Sequence, residues 1–307
     1  MTGRPAFSLV QLEYFVAAAE AGTMSLAAER LHTTQSALSS AIIRLERQLG
    51  CQLFVRHHAR GISLTSAGRP LLASARAVLR QVDDLVGDSR TLQDEISGTL
   101  DVGCFVTLVP FLIPPALRRL REQHPELTVR VQEADTHQLF DSLREGLSEL
   151  VLSYDIGLGD DLEFEPLAEL RPYALVAADD PLAGAESATL ADLARRPLVL
   201  LDLVEPGLFV RNLLSEVLPS IPSIVPTTSF EGMRALVAAG MGFTILNQRV
   251  ATPITYDGGE VHPLEIEDDI PSIRIGVVTA RASRPTRRAQ TLVETLRQLR
   301  PGPPSGP

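Results

Sequence analysis

Apolar residues recur at helical spacing three times before residue 50. Leu9, Leu12, Phe15, Val16 and Ala19 form one stripe, and Ala27, Ala28 and Leu31 a shorter one of small residues. Leu38, Ile42, Leu45 and Leu49 form the third. Gly22 and the His32-Thr33-Thr34 stretch punctuate them, and Thr34 is placed to cap the third helix. The other face of that helix carries Gln35, Ser36, Ser39, Ser40, Arg44 and Arg47. Such a helix buries one side in a small core and offers the other to base edges and phosphates. The expected partner is double-stranded DNA. A two-stranded wing follows, from about Phe54 to Thr65, with Arg56, His57, His58 and Arg60 around Gly61, which permits the turn. The DNA-facing set is therefore Thr34, Gln35, Ser36, Ser39, Ser40, Arg44, Arg56 and Arg60. An ordinary three-helix structural module leaves the wing unexplained.

From about Ser66 to Leu92 the pattern predicts one long helix capped by Thr65. Leu72, Ala75, Leu79, Val82 and Val86 follow 3-4-3-4 spacing along it. The alternative is a seam buried against its own domain. Nothing nearby looks large enough to cover so long a stripe, so dimerisation is the expected use of these five residues.

After Ser97 and Gly98 the pattern turns to alternating strands and helices. Strands are expected at Thr99–Phe105, Thr128–Glu133, Leu150–Tyr154, Tyr173–Ala177, Leu198–Leu201, near Val225, at Phe243–Leu246 and at Arg274–Thr279. Helices are expected at Val109–Gln123, Thr136–Leu147, Leu190–Ala194, Leu208–Leu218, Glu231–Ala239 and Thr286–Arg300. This alternation predicts α/β sheets with helices on both faces. The segment 301–307 is rich in Pro and Gly and reads as a disordered tail.

Charge sharpens the picture. The 307 residues carry a net charge of −10, which alone disfavours DNA. Residues 1–80, however, hold nine Arg against four acids, or +5, and the remainder nineteen Arg against thirty-four acids, or −15. A basic head on an acidic body restores the DNA reading, since phosphate attraction is local. Lys is absent, so Schiff-base and lysine-nucleophile chemistry is excluded. No HExxH, GxSxG, P-loop or strand-linked GxGxxG appears, and no catalytic residue is assigned. Adjacent His57 and His58 lack a third ligand, so neither a metal nor a cofactor is expected. Two cysteines make no disulfide framework, and with no membrane span or signal peptide the expected compartment is the cytoplasm.

Five pieces together carry a family resemblance: AAERLH, TQSALS, the IxRLExxLG pattern at Ile42 to Gly50, LFVR at Leu53 to Arg56, and LTSAG at Leu64 to Gly68. The head resembles the winged helix-turn-helix of LysR-type transcriptional regulators. The likeness continues more weakly through GTLDVG, REQHPEL, ADDPLAG and LVAAGMGFTIL. It implies a winged helix-turn-helix over 1–65, a linker and dimerisation helix over 66–95, and a two-lobed effector domain over 96–300, built like periplasmic binding proteins. The first lobe would comprise 96–168 and 272–300, the second 169–271, with crossovers near Glu165–Arg171 and Ile266–Pro271. In the family the wing approaches the minor groove, which makes Arg60 the candidate for that contact. The linker helix pairs protomers, and two dimers would join into a tetramer on an inverted-repeat promoter site, with RNA polymerase a further candidate partner.

An effector would sit between the lobes, where helix starts face strand ends. Thr107, Thr136 and Ser229 each begin a helix and offer a hydroxyl beside free amides, a seat for a carboxylate or another acceptor. Each is equally a simple cap. The resemblance supports Thr107 with Leu108, and Thr136, and adds Asp202, Leu203, Phe209 and Phe230 on the second lobe's edge. The chain departs from the family's common pattern at Ser40-Ala41, Ser148-Glu149 and Asn247. The acids Asp135, Asp155, Asp202 and Glu231 argue against a purely anionic effector. The alternative to a metabolite switch is a ligand-independent or redox-responsive regulator using Cys104, although Cys51, its one conceivable partner, lies in the head.

Overall fold

The computed structural model describes residues 7–57, 61–90 and 96–299, with side chains throughout except at 86–90 and 204–206. The head comprises α1 (Leu9–Ala21), α2 (Met24–Arg30), α3 (Gln35–Leu49), and the antiparallel wing strands β1 (Phe54–His57) and β2 (Gly61–Leu64). Local chemistry sets the helix starts. Ser8, Thr23 and Thr34 each accept an amide three residues on, and Gly22 and Gly50 close α1 and α3 in the left-handed region. Leu12, Phe15, Ala27, Leu38, Ile42, Leu45, Leu53 and Phe54 make its core. Gly61, at φ +87°, packs against the turn after α1, where a Cβ would fall 2.4 Å from the Gly22 carbonyl oxygen. The Ile62 amide donates to that same oxygen at 2.9 Å, so the wing is anchored to the head.

The long helix α4 (Gly68–Arg90) starts where Thr65 Oγ1 accepts the Gly68 amide at 3.0 Å. Its expected dimer seam needs correction. Leu72 and Ala75 are buried in the head's own core, with Leu79 half-buried against it. Val82 is half-buried, and the Val86 side chain lies outside the described residues. Among the described side chains of α4, the exposed large apolar ones are Val78 (44%) and Leu85 (69%), one residue round the helix and seven apart. The head's small core leaves its lower rim open, and the first turns of α4 close it.

Beyond α4 the chain forms two lobes. The first contains β3 (Gly98–Phe105), α5 (Val109–Gln123), β4 (Leu127–Ala134), α6 (Thr136–Arg144), β5 (Leu150–Tyr154) and β6 (Leu162–Leu170). The second contains β7 (Tyr173–Ala177), β8 (Ser187–Ala188), α7 (Leu190–Leu193), β9 (Leu198–Leu201), α8 (Val204–Leu213), β10 (Ile224–Thr227), α9 (Phe230–Ala238), β11 (Thr244–Leu246) and β12 (Val261–Ile266). The chain then returns to the first lobe as β13 (Ile273–Ala280) and α10 (Arg287–Leu299). The first sheet runs β4-β3-β5-β13-β6, parallel at β4-β3-β5 and antiparallel around β13. The second runs β11-β7-β12-β8, with β9 and β10 paired in parallel beside it.

Two long strands escape the sequence reading. The crossover expected near Glu165–Arg171 is mostly strand: Leu162–Leu170 form β6, an edge strand whose register shifts where Pro166 sits opposite Gly276. The lobe change therefore falls after Leu170, at Arg171–Pro172. Strand β12 carries Pro263 and was equally unread. Proline lacks the ladder N–H and masks a strand pattern wherever an edge or irregularity tolerates it. Helix α6 stops at Arg144, short of the expected end at Leu147, which is 44% exposed. Gly146 there sits at φ +65°, with space for a Cβ only 3.1 Å from the Ala73 carbonyl oxygen of α4. The expected tail at 301–307 lies outside the described residues.

Candidate functional site

Helix α3 presents the polar face the sequence assigned to it. Thr34, Gln35, Ser36, Ser40 and Arg44 are exposed, Ser39 half-buried, and Leu38, Ile42 and Leu45 fully buried behind them. The Thr34 hydroxyl accepts the Ala37 amide at 3.2 Å and pairs with Ser36 Oγ at 3.1 Å. Thr34 therefore positions the helix start, while Gln35 projects free of that pair. Arg56 on β1 is exposed and donates to Ser39 Oγ at 3.4 Å, so the wing and α3 share one surface. Arg60 and His58 lie outside the described residues. His57 contacts Ser63 Oγ at 2.8 Å across the wing. Glu46, which carries no signal of this role in the sequence, sets this arrangement. Glu46 Oε1 accepts the Leu53 amide at 2.7 Å and the Phe54 amide at 3.3 Å, tying the end of α3 to the wing.

A small cavity of about 40 Å³ lies between the lobes. Thr107 and Tyr154 reach it from the first lobe, and Phe230, Asn247 and Gln248 from the second, over an aliphatic floor from β9 and β11. Thr107 does not cap α5, whose N-cap is Leu108 without a side-chain bond. Its hydroxyl instead meets the Tyr154 hydroxyl at 3.0 Å, both groups buried. Burial pushes the Tyr154 phenol up to about 12, with Thr107 and Asn247 at its oxygen opposing the shift. Asn247 Oδ1 and Gln248 Nε2 are buried without a hydrogen-bond partner. Phe111 of α5 in the first lobe meets Phe230 of α9 in the second edge-on, ring centroids 6.4 Å apart.

Of the expected effector residues, the fold brings Thr107 and Phe230 to this cavity. Leu108 is fully buried in the first lobe's core. Thr136 is buried at the start of α6, but Asp135 is the cap, accepting the Gln138 amide at 2.9 Å. Ser229 is exposed and caps Gly232 at 3.0 Å. Asp202 is exposed. Leu203 and Phe209 pack on the first lobe's core as well as on their own lobe, so they hold the lobes together. Tyr154 and Gln248 went unnoticed in the sequence because a buried strand end and a loop carry no periodic signal.

The second missed cluster joins α4 to the first lobe. Arg76 links Glu20 of α1 (3.0 Å) to the Glu145 carbonyl (2.7 Å). Arg80 donates to the Gly146 carbonyl at 2.7 Å and faces Glu149. Arg288 lies 3.5 Å from Asp84, and Gln81 donates to the Arg284 carbonyl at 2.9 Å. Cys104 is buried on β3, and burial pushes its thiol up; Cys51 is exposed in the head.

Two family profiles match: "Bacterial regulatory helix-turn-helix protein, lysR family" over residues 9–69 and "LysR substrate binding domain" over 93–300. The chain is 32% identical to the DNA-binding transcriptional dual regulator OxyR of Escherichia coli over 290 residues, 93% of each chain. It is 30% identical over 291 residues to a hydrogen peroxide-inducible genes activator of Pectobacterium carotovorum, 94% and 95% of the two chains. A solved variant of full-length OxyR from Pseudomonas aeruginosa superposes with a TM-score of 0.73 at 26% identity, covering 95% of this chain and 98% of that one.

Proposed function

The chain belongs to the LysR family of bacterial regulators, and from that premise we propose a sequence-specific DNA-binding transcriptional regulator switched by a small molecule held between its two lobes. The observation that carries the DNA half is α3: one face fully buried, the other an exposed row of short polar groups and Arg on a basic head. Gln35 and Ser36 read bases, and Arg44 and Arg56 meet phosphates, with Arg60 the candidate for the minor groove. Such a protein works where the DNA is, in the cytoplasm. It self-associates through α4, and two dimers assemble on an inverted-repeat site; contact with RNA polymerase is a further part of this reading.

The cleft half rests on the buried unpartnered groups of the interlobe cavity. A ligand that binds one lobe arrangement better than another shifts the population and, through α4, the spacing of the heads. The relatives named for hydrogen peroxide make thiol sensing the competing reading. Thiolate is the nucleophile that attacks peroxide, and a buried, raised thiol at Cys104 supplies little of it. The test is selection of a binding site from random duplexes, then gel shift of wild type, Gln35→Ala and Cys104→Ser. Gln35→Ala should lose about 1–3 kcal/mol on the selected site and little on random DNA. Equal losses on both overturn base reading, and a peroxide response that Cys104→Ser abolishes overturns the metabolite switch.

A further inference from the structure

Among the described residues, no charged side chain lines the interlobe cavity. Arg234 and Arg249, on the same lobe, are already engaged. Arg234 holds Glu231 at 2.6 Å and the carbonyls of Thr252 and Ile254. Arg249 pairs with Glu265 and lies 4.2 Å from the Tyr173 ring centroid. The helix starts nearby are weak anion seats. The first turn of α5 contains Pro110, which has no N–H, and the first turn of α9 carries Glu231. An anion entering here would lose its water and gain no cation. The walls do offer both halves of a neutral hydrogen-bonding pattern. Gln248 is 8% exposed with an unused Nε2 donor, and Asn247 has an unused Oδ1 acceptor.

We infer that the cleft selects an uncharged, compact molecule offering one acceptor and one donor, of the primary amide or urea class, in place of a carboxylate. This rests on the cleft being the effector site. Size points the same way. The cavity holds about 40 Å³, whereas a cavity of roughly 150 Å³ accommodates benzene. A volume this small favours the smallest members of that class. Gln248 and Asn247 are then the specificity-determining residues, and Thr107 and Tyr154 supply the facing hydroxyls.

The test is thermal shift and calorimetry on the full chain with isosteric pairs at matched ionic strength: acetamide against acetate, and propionamide against propionate. The amides should raise the melting temperature and the carboxylates should act no differently from chloride. Gln248→Leu should weaken the amide's Kd by about tenfold, the loss expected of one buried hydrogen bond. Preference for the carboxylates, abolished by Gln248→Leu, overturns the ligand class and leaves the cleft reading standing. Binding of either member that Gln248→Leu and Thr107→Val both leave unchanged overturns the cleft reading itself. No response to any of the four also overturns the inferred class.

Discussion

The Arg80 guanidinium lies with Nε 4.0 Å from Glu149 Oε1, and this pair joins the linker helix to the first lobe. The Glu149 side chain is 3% exposed; Thr286 Oγ1 donates to its other oxygen at 2.7 Å, and Oε1 has no hydrogen-bond partner. Burial raises the Glu149 carboxyl above its ordinary value and lowers Arg80. The pair is thus a coupling between head and effector domain held at some cost in desolvation.

Glu149→Gln tests this through pH. A carboxyl raised in the fold favours the protonated form, so its contribution is fully present below the ordinary value of 4.5 and is lost as pH rises through the raised one. The stability of wild type relative to Glu149→Gln should fall as pH climbs from about 4.5, in the direction the linkage demands. Urea titrations of both proteins at several pH values measure it. A flat difference means Glu149 is ionised in fold and coil alike.

The wing prediction concerns salt. Arg56→Ala should reduce the slope of log K against log salt by about one, uniformly across DNA sequences. It should also free Ser39, whose hydroxyl Arg56 contacts. Gel shifts at several salt concentrations decide this, and an unchanged slope removes Arg56 from the phosphate contacts.

Association should depend on the exposed stripe of α4. Val78→Arg and Leu85→Arg are expected to lower the sedimenting mass while the head keeps its helical spectrum, because both side chains face solvent in the single chain. Leu79→Arg should behave differently. It drives a charge against the head's own core and should unfold the head, whatever the mass. Equal behaviour of Leu79→Arg and Leu85→Arg, by sedimentation and circular dichroism, contradicts this division.

Removing the Tyr154 hydroxyl probes the cleft without a ligand. Tyr154→Phe leaves Thr107 Oγ1 buried without its 3.0 Å partner and should cost about 1–3 kcal/mol. Thermal unfolding is the measurement. No loss means water or Asn247 takes over the Thr107 hydroxyl.

Much of the fold is legible along the chain because its elements are amphipathic with clean periods. The bounds of α5, β5, β7 and β9 coincide with the expected ones. Strands β6 and β12 are hidden by Pro166 and Pro263, which sheet geometry accommodates but a pattern reading penalises. Of the candidate site, the exposed row on α3 follows from helical spacing alone. The interlobe cavity does not, since Thr107, Tyr154 and Gln248 are brought together from β3, β5 and β11 ends up to 141 positions apart in number, and hydroxyl caps look alike wherever a helix begins.

The sequence by itself determined the helix-wing head, its positive charge, the long helix and the alternating lobes. Each of these is a local matter of period, cap and composition. Only the tertiary structure decided which side of α4 stays free, since Leu72 and Val78 are equally apolar and the head's core takes the first. It also decided which hydroxyls meet in the cleft, and that Glu149 is buried beside Arg80. Burial depends on what packs against a residue from elsewhere in the chain, and no local pattern carries that information.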